Sequence, residues 1–444
     1  MIGCSVPAIV ASDQPADGES PLDPPSRHAG VRVISVYATP WHILERAEAA
    51  LPGERFRLHW LHGHFRRSAG QLPKVLGDVE LDPSSMTFGH WGLADRMTGA
   101  RLWLFAVPPG EVVVALDLGV RCGLAETGEL LRDCYHLDVR IDGKTVESVA
   151  ANVPALRRLK GDVQQEFFPE RHQLAVTGPI PGATSEQVIQ QVIHGTVSAH
   201  PHRSGRPRHP AELNQDTDTV AAVRAQVSVL CGQQDHVEDC AFMSAVQAVA
   251  SAARLREIRF DAHTAVESFR REERAKLPAE LRRRVLEQLT GRLSDLELDL
   301  CYSVESAVDL GMLVPSPDVT GFHDALFDAM ELTTKADQVS LMLRRMEWVF
   351  HAELTTIQSI ERRADDNRRR RWGVAIGFVS FVSIPAGLVL AFLGVNAAEV
   401  DVHRSIFDWH HYLPVYLLIL SPVMIGALIF LVMYFLQRRQ DDVR

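Results

Sequence analysis

Two long apolar segments near the C-terminus dominate the hydropathy pattern of the chain. Residues 373–393 and 412–436 contain no charged side chain. A helix needs about 20 consecutive apolar residues to cross a bilayer, and both segments meet that length. The pattern therefore predicts two membrane-spanning helices, with a buried helix pair as the alternative.

Charge flanking these segments predicts their orientation. Arginines occupy 368–371, before the first segment, and 438–439, after the second, whereas the connecting loop contains Glu399, Asp401 and Asp408 against Arg404. Basic residues collect on the cytoplasmic side of membrane helices. We therefore expect a two-span protein of the cell membrane with both chain ends in the cytoplasm and lipid as a partner.

The rest of the chain shows a change of pattern from strands to helices. Runs rich in β-branched and aromatic residues at 31–39, 56–63, 100–107 and 111–120 predict strands, and Pro-Pro-Gly at 108–110 predicts a tight connection. After about residue 215 the pattern is helical, and 322–372 has neither Gly nor Pro, which predicts a helix on the order of 75 Å long. The predicted fold class is an α+β cytoplasmic domain, a long helical stalk and two C-terminal transmembrane helices.

Domain boundaries follow from these changes of pattern. The predicted parts are a disordered tail at 1–30, an α/β domain with a Pro- and His-rich linker at 31–215, a helical region with the stalk at 216–371, the membrane part at 372–436 and a basic tail at 437–444.

Composition and motifs narrow the function class. The chain has 46 Lys and Arg against 56 Asp and Glu, a net charge of −10, which argues against a general nucleic-acid partner. Phosphate-loop, nucleophile-elbow, zinc-protease and dinucleotide-binding motifs are all missing from the sequence. We therefore expect neither an enzyme nor an organic cofactor.

The end of the first apolar segment resembles the CorA-type family of divalent-metal transporters. Pro385 lies nine residues before the triplet Gly394-Val395-Asn396, with Val395 where the family has Met in its Gly-Met-Asn signature. The resemblance implies a homo-oligomer, with five subunits, that transports a divalent cation, with magnesium first and zinc or another transition metal as the alternative. A non-transporting membrane-anchored scaffold or sensor on the same architecture is the competing interpretation.

The resemblance also suggests which residues serve the ion. Asn396 would place a ring of amide oxygens at the outer pore mouth beside Gly394 and Val395, the alternative being a helix C-cap. Glu399 and Asp401 would concentrate cations there, and Asp328 and Asp337 are candidates for intracellular metal sensing. The candidate pore-lining residues, which would otherwise serve helix packing, are Gly373, Ile376, Gly377, Ser380, Ile384, Gly387 and Ala391.

Overall fold

The computed structural model divides the chain into two compact units, Met1–Phe350 and His351–Arg444. It describes residues 30–43, 49–58, 70–92, 94–156, 166–179, 184–194, 206–216, 218–274, 278–305, 307 and 316–395, and beyond them 410, 413, 414, 417, 421, 424–426 and 428. The predicted disordered tail, apart from Gly30, and the predicted basic tail lie outside the described residues.

The first unit is built on a mixed β-sheet. The strands are β1 Val31–His42, β2 Lys74–Leu81, β3 Met86–Phe88, β4 Met97–Val107, β5 Glu111–Val120, β6 Val139–Ile141, β7 Lys144–Thr145, β8 Arg171–Thr177, β9 Val220–Val223 and β10 Val227–Cys231. Seven of them form one sheet in the order β2-β4-β5-β1-β8-β10-β9, and β3-β6-β7 form a second. Only the β8–β10 pair in the large sheet is parallel.

Eight α-helices accompany the strands in the described part of the chain. They are α1 Pro52–Arg55, α2 Leu124–His136, α3 Val146–Ala151, α4 Ser185–Ile189, α5 Asp235–Arg274, α6 Ala279–Leu300, α7 Pro317–Ala329 and α8 Leu332–Val395. Short 3₁₀ turns occur at Pro83–Ser85, Ala94–Arg96 and Glu212–Asn214, and π-helical turns at Gln190–His194 and Cys301–Glu305.

The predicted runs identified three strands of the seven-stranded sheet, β1, β4 and β5, and missed the other four. The runs at 31–39, 100–107 and 111–120 fall in β1, β4 and β5, and 108–110 is the turn between the last two. Residues 56–58 of the fourth run belong to no strand, and 59–63 lie outside the described residues. Strands β9 and β10, of four and five residues, were missed because they directly precede a long helix.

The central strand β1 is buried on both faces, which explains why its sequence is apolar at nearly every position. Val31, Val33 and Tyr37 belong to a core that also contains Leu130 and Leu131 of α2. The Tyr37 hydroxyl donates a 2.6 Å hydrogen bond to the carbonyl oxygen of Cys134 at the end of that helix. Helices therefore cover the sheet on both sides, as in other sheets whose strands read as continuous hydrophobic runs.

A buried ion pair fixes α5 on the other face of the sheet. The Arg32 guanidinium donates to both carboxylate oxygens of Asp117 in β5, at 2.9 and 2.7 Å, and to Asp239 of α5 at 3.5 Å. Burial alone would lower the pKa of Arg32, but Asp117 and Asp239 raise it overall, so the guanidinium stays charged. The guanidinium carbon of Arg32 lies 5.9 Å from the centre of the ring of Phe242, which also belongs to α5.

Aromatic rings fill the space beside this ion pair. Phe56 stacks on Trp103 of β4 with ring centres 5.0 Å apart, and Phe242 of α5 meets Phe105 edge-on at 5.5 Å. Aromatic pairs in these geometries add to the stabilisation that burial itself provides. The helix and the sheet are thus joined by one charged and one aromatic contact region.

The predicted long helix is interrupted once without glycine or proline. Helix α7 ends at Ala329, and Glu331, with a left-handed φ of 57°, precedes the first residue of α8. From there the helix is continuous past Arg371, as predicted. In the first unit α8 buries Val339, Leu343 and Phe350, and the Phe350 ring lies 5.1 Å from that of Phe269 in α5.

The membrane part of the predicted fold class is wrong. Within the described part of the chain, no helix combines the length and the apolar character that crossing a bilayer requires. The described architecture is an α/β fold with a mixed sheet and helices. This overturns the two transmembrane helices within 372–436, the ion channel built from them and the two-span location in the cell membrane with both ends in the cytoplasm.

The reason for this error is that the absence of charge does not determine what covers a helix. The described residues of the first segment are exposed in the single chain, and an apolar helix face can be covered by another protein surface as well as by lipid. The first segment lies inside α8, which also carries the arginines at 368–371 and much polar sequence before them. The second segment is described only at separate positions between 413 and 428.

Two histidines of the first unit are buried in their neutral form. His172 in β8 contacts the carbonyl oxygen of Ala225 through Nδ1 at 3.2 Å, so this nitrogen donates, and Nε2 accepts from the Ser228 hydroxyl at 2.9 Å. His323 in α7 donates through Nε2 to the carbonyl oxygen of Ala307 at 2.8 Å. Burial lowers the pKa of each histidine from 6.5 to about 4.

Replacing Asp117 by Asn should destabilise the fold strongly. The change leaves the buried Arg32 charge without its bidentate partner, and breaking a buried pair costs about 3–5 kcal/mol. Urea denaturation measures the loss. The matched control is Glu280→Gln, which breaks an exposed pair with Arg284 and should cost less than about 1 kcal/mol. Equal effects of the two changes would contradict the central role of Arg32.

Acid should destabilise the first unit between pH 6.5 and 4. In this window the unfolded chain protonates His172 and His323 while the folded chain does not, so the stability present above pH 6.5 is lost as pH falls. The loss reaches about 3 kcal/mol per histidine at pH 4. Denaturation of His172→Gln and His323→Gln at several pH values, each relative to its own stability at pH 7.5, should show a shallower decline. An unchanged slope in both variants would rule out these histidines as the cause.

Candidate metal centre

A cluster of ionisable side chains lies at the opposite end of the sheet–helix contact from Arg32. His42 is the last residue of β1 and Glu111 the first of β5, and the two are paired in the β1–β5 register after an irregularity between Ala38 and His42. Glu257 reaches the same place from the middle of α5. One ligand atom from each of these three residues lies within 4.8 Å of the others.

Two further residues complete the cluster. Arg254 precedes Glu257 by one turn of α5, with its Nε 3.3 Å from Glu111 Oε1 and its Nη1 3.0 Å from Glu257 Oε2. Its Nη2 makes a short contact with Asp299 Oδ2 near the end of α6. We call His42, Glu111, Arg254, Glu257 and Asp299 the β1–α5 cluster.

Glu111 is the most deeply buried ligand candidate. Its side chain is 6% exposed. Oε2 accepts from the backbone N–H of Gly110 at 3.3 Å, whereas Oε1 accepts no hydrogen bond from any residue in the described ranges, despite facing Arg254. Burial raises the pKa of Glu111 although Arg254 opposes this shift, so a further cation beside Oε1 would favour the ionised carboxylate.

His42 and Glu257 form the more open side of the cluster. His42 Nε2 lies 3.4 Å from Glu257 Oε1, and the His42 side chain is 37% exposed. The bond to Glu257 raises the pKa of His42 against the effect of burial. Burial alone would raise the pKa of Glu257, but His42 and Arg254 lower it overall. A cation could enter from this side and replace the proton between the two groups.

The charges of the cluster do not cancel. Glu111, Glu257 and Asp299 supply three carboxylates, and Arg254 supplies one guanidinium. With His42 neutral, the surplus is two negative charges. The neighbouring pair of Arg256 and Glu170, 3.0 Å apart, is balanced within itself. With His42 neutral, one divalent cation would neutralise the cluster. An imidazole and carboxylates together form a ligand set that divalent first-row transition metals accept.

The predicted ion-conducting residues lie elsewhere in the chain. Gly394 and Val395 are the last two residues of α8, whereas Asn396, Glu399 and Asp401 lie outside the described residues. The candidate pore-lining residues are all in α8 and exposed, namely Gly373, Ile376, Gly377, Ser380, Ile384, Gly387 and Ala391. Their role in conduction stays a prediction.

The predicted sensing residues are not part of the β1–α5 cluster. Asp328, near the end of α7, is 67% exposed and lies 3.7 Å from Arg208. Asp337 is exposed on the second turn of α8. The structure therefore places neither of them with the three ligand candidates His42, Glu111 and Glu257.

Sequence reasoning missed the β1–α5 cluster because its members are far apart in the chain and form no motif. The available signals were a histidine shortly after the first predicted strand and a glutamate at the first position of the strand at 111–120. Only the pairing of β1 with β5 and the path of α5 bring them together. Comparison with protein-family models, curated proteins and solved structures finds no match to this chain.

Proposed function

We propose that this protein binds a divalent first-row metal cation at His42, Glu111 and Glu257 and responds to it. The observation that carries the proposal is the excess of three carboxylates over one guanidinium around the buried Glu111, whose Oε1 accepts no hydrogen bond from any described residue. The CorA-type resemblance supports the choice of a divalent cation. The imidazole favours Mn²⁺ or Zn²⁺ over Mg²⁺, because Mg²⁺ prefers an all-oxygen octahedral shell.

The response we propose is a tighter attachment of α5 to the sheet. A cation held by His42, Glu111 and Glu257 would link the end of β1, the start of β5 and the middle of α5. It would replace repulsion between carboxylates by attraction to one centre. This role corresponds to the sensor alternative raised by the sequence. Transport through a ring of Asn396 stays a prediction, and the described helices offer it no membrane span.

We also propose that the protein is a homo-oligomer. In the second unit, α8 exposes large apolar side chains at Trp372, Ile376, Val379 and Ile384, each more than 60% accessible. Apolar surface of this extent marks an interaction site. Glycines at 373 and 377 would let a second copy of α8 approach closely. The number of five subunits stays a prediction of the family resemblance.

Metal titration of the full chain tests the proposed centre. Mn²⁺ and Zn²⁺ should raise the thermal unfolding midpoint in a concentration-dependent way, because a cation that binds the folded state stabilises it. Glu111→Gln keeps the shape but removes the charge, and we expect its affinity to fall at least tenfold. The matched control is Glu170→Gln, a less buried carboxylate that is also paired with an α5 arginine, which should change the affinity less than threefold. Equal binding by wild type and Glu111→Gln would exclude the centre.

The mass of the purified full chain tests self-association. Light scattering or sedimentation should give a multiple of the 49.4 kDa chain mass. The double change Ile376→Asp and Val379→Asp places charges on the apolar surface and should shift the mass toward the monomer, whereas Asn367→Asp in the polar part of α8 should not. A wild-type monomer at all accessible concentrations would refute the proposal.

A further inference from the structure

The proposed metal centre already contains a cation of the protein itself, the guanidinium of Arg254. Its Nε faces Glu111 at 3.3 Å and its Nη1 faces Glu257 at 3.0 Å, so it contacts two of the three ligand candidates. A metal ion that binds the same carboxylate oxygens must share them with this charge or displace it.

At the buried side of the cluster, the guanidinium of Arg254 lacks an aligned hydrogen bond to Glu111. Neither Arg254 Nε nor Glu111 Oε1 completes a hydrogen bond with any residue in the described ranges, although both are buried and 3.3 Å apart. Bidentate guanidinium–carboxylate pairs normally form two aligned hydrogen bonds. Arg32 and Asp117 show that arrangement in the same sheet–helix contact region, with distances of 2.9 and 2.7 Å. Arg254 therefore holds Glu111 less tightly than Arg32 holds Asp117.

A second acceptor is available to Arg254 outside the ligand set. Its Nη2 contacts Asp299 of α6, a carboxylate that is 33% exposed and is not one of the three ligand candidates. Rotation of the long side chain toward Asp299 would free Glu111 and Glu257 while keeping the guanidinium paired. Asp299 already contacts the guanidinium and can keep it paired when a cation takes Glu111 and Glu257.

We propose that Arg254 is a built-in competitor of the metal cation: it closes the site in the absence of the cation and gives up Glu111 and Glu257, while keeping Asp299, when the cation binds. This inference rests on the proposed function. The competition sets the affinity and favours divalent over monovalent ions, since an ion with one charge gains little by replacing a guanidinium already in contact with both carboxylates. Arg254 is a positioning residue for Glu111 and Glu257 and not a ligand.

The test is Mn²⁺ titration of the full-length Arg254→Gln variant. Removal of the competing charge should tighten Mn²⁺ binding at least tenfold, measured as the metal-dependent rise of the unfolding midpoint within each variant. Because each variant is its own reference, a loss of metal-free stability leaves the result interpretable. Arg254→Lys retains a charge but has no fork to bridge two carboxylates, and it should give an intermediate affinity.

The control is Arg256→Gln on the same helix, whose guanidinium pairs with Glu170 outside the cluster and lies over the Phe168 ring. It should bind Mn²⁺ like wild type. If wild type binds and Arg254→Gln binds equally or more weakly, the competition is refuted while the metal centre stands. If neither binds, the proposed function fails and this inference with it. If only Arg254→Gln binds, Arg254 closes the site and the wild-type function fails.

Discussion

The buried pair of Arg32 and Asp117 is the contact on which the arrangement of sheet and helix depends. It joins β1 to β5 and, through Asp239, to the start of α5. The Asp117 side chain is 1% exposed, and a charged group this buried is stable only with a well-placed partner. The pair therefore permits few other arrangements of β1, β5 and α5. Since α5 is one continuous helix, fixing its first turns also fixes where residues 254–257 pass the end of β1.

The charged groups at the two ends of this contact region differ in their hydrogen bonds and in their exposure. At the Arg32 end, the guanidinium donates well-aligned hydrogen bonds and is enclosed. At the Arg254 end, three carboxylates surround one guanidinium, Glu111 Oε1 accepts no hydrogen bond from any described residue, and His42 opens the cluster to solvent. The same residue types thus produce a pair with two complete hydrogen bonds at one end and a cluster with an uncompleted contact at the other. Hydrogen-bond geometry, rather than residue identity, distinguishes an ion pair that holds the fold from one that a cation could open.

The centre of the fold could be predicted from the sequence because buried strands such as 31–39 and 111–120 carry their own apolar and β-branched pattern. β9 and β10 could not, because four or five residues beside a 40-residue helix give too little periodicity. The spans were predicted wrongly because local hydropathy does not encode what surrounds a helix. The β1–α5 cluster could not be predicted for a related reason. The register that pairs His42 with Glu111 depends on an irregularity in β1. Glu257 joins these two residues only through tertiary packing.

Competition between Arg254 and a cation would couple the sheet to α6. With Arg254 on Glu111 and Glu257, the guanidinium spans the start of β5, α5 and Asp299 of α6 at once. With a cation bound to His42, Glu111 and Glu257, the metal would hold α5 to the sheet. The Arg254 guanidinium would then contact only Asp299 of α6. The cation can shift this balance only by the difference of its affinity for the two arrangements. A weak internal competitor is therefore an advantage, because a guanidinium bound as firmly as Arg32 would leave too little of the binding free energy to favour the second arrangement.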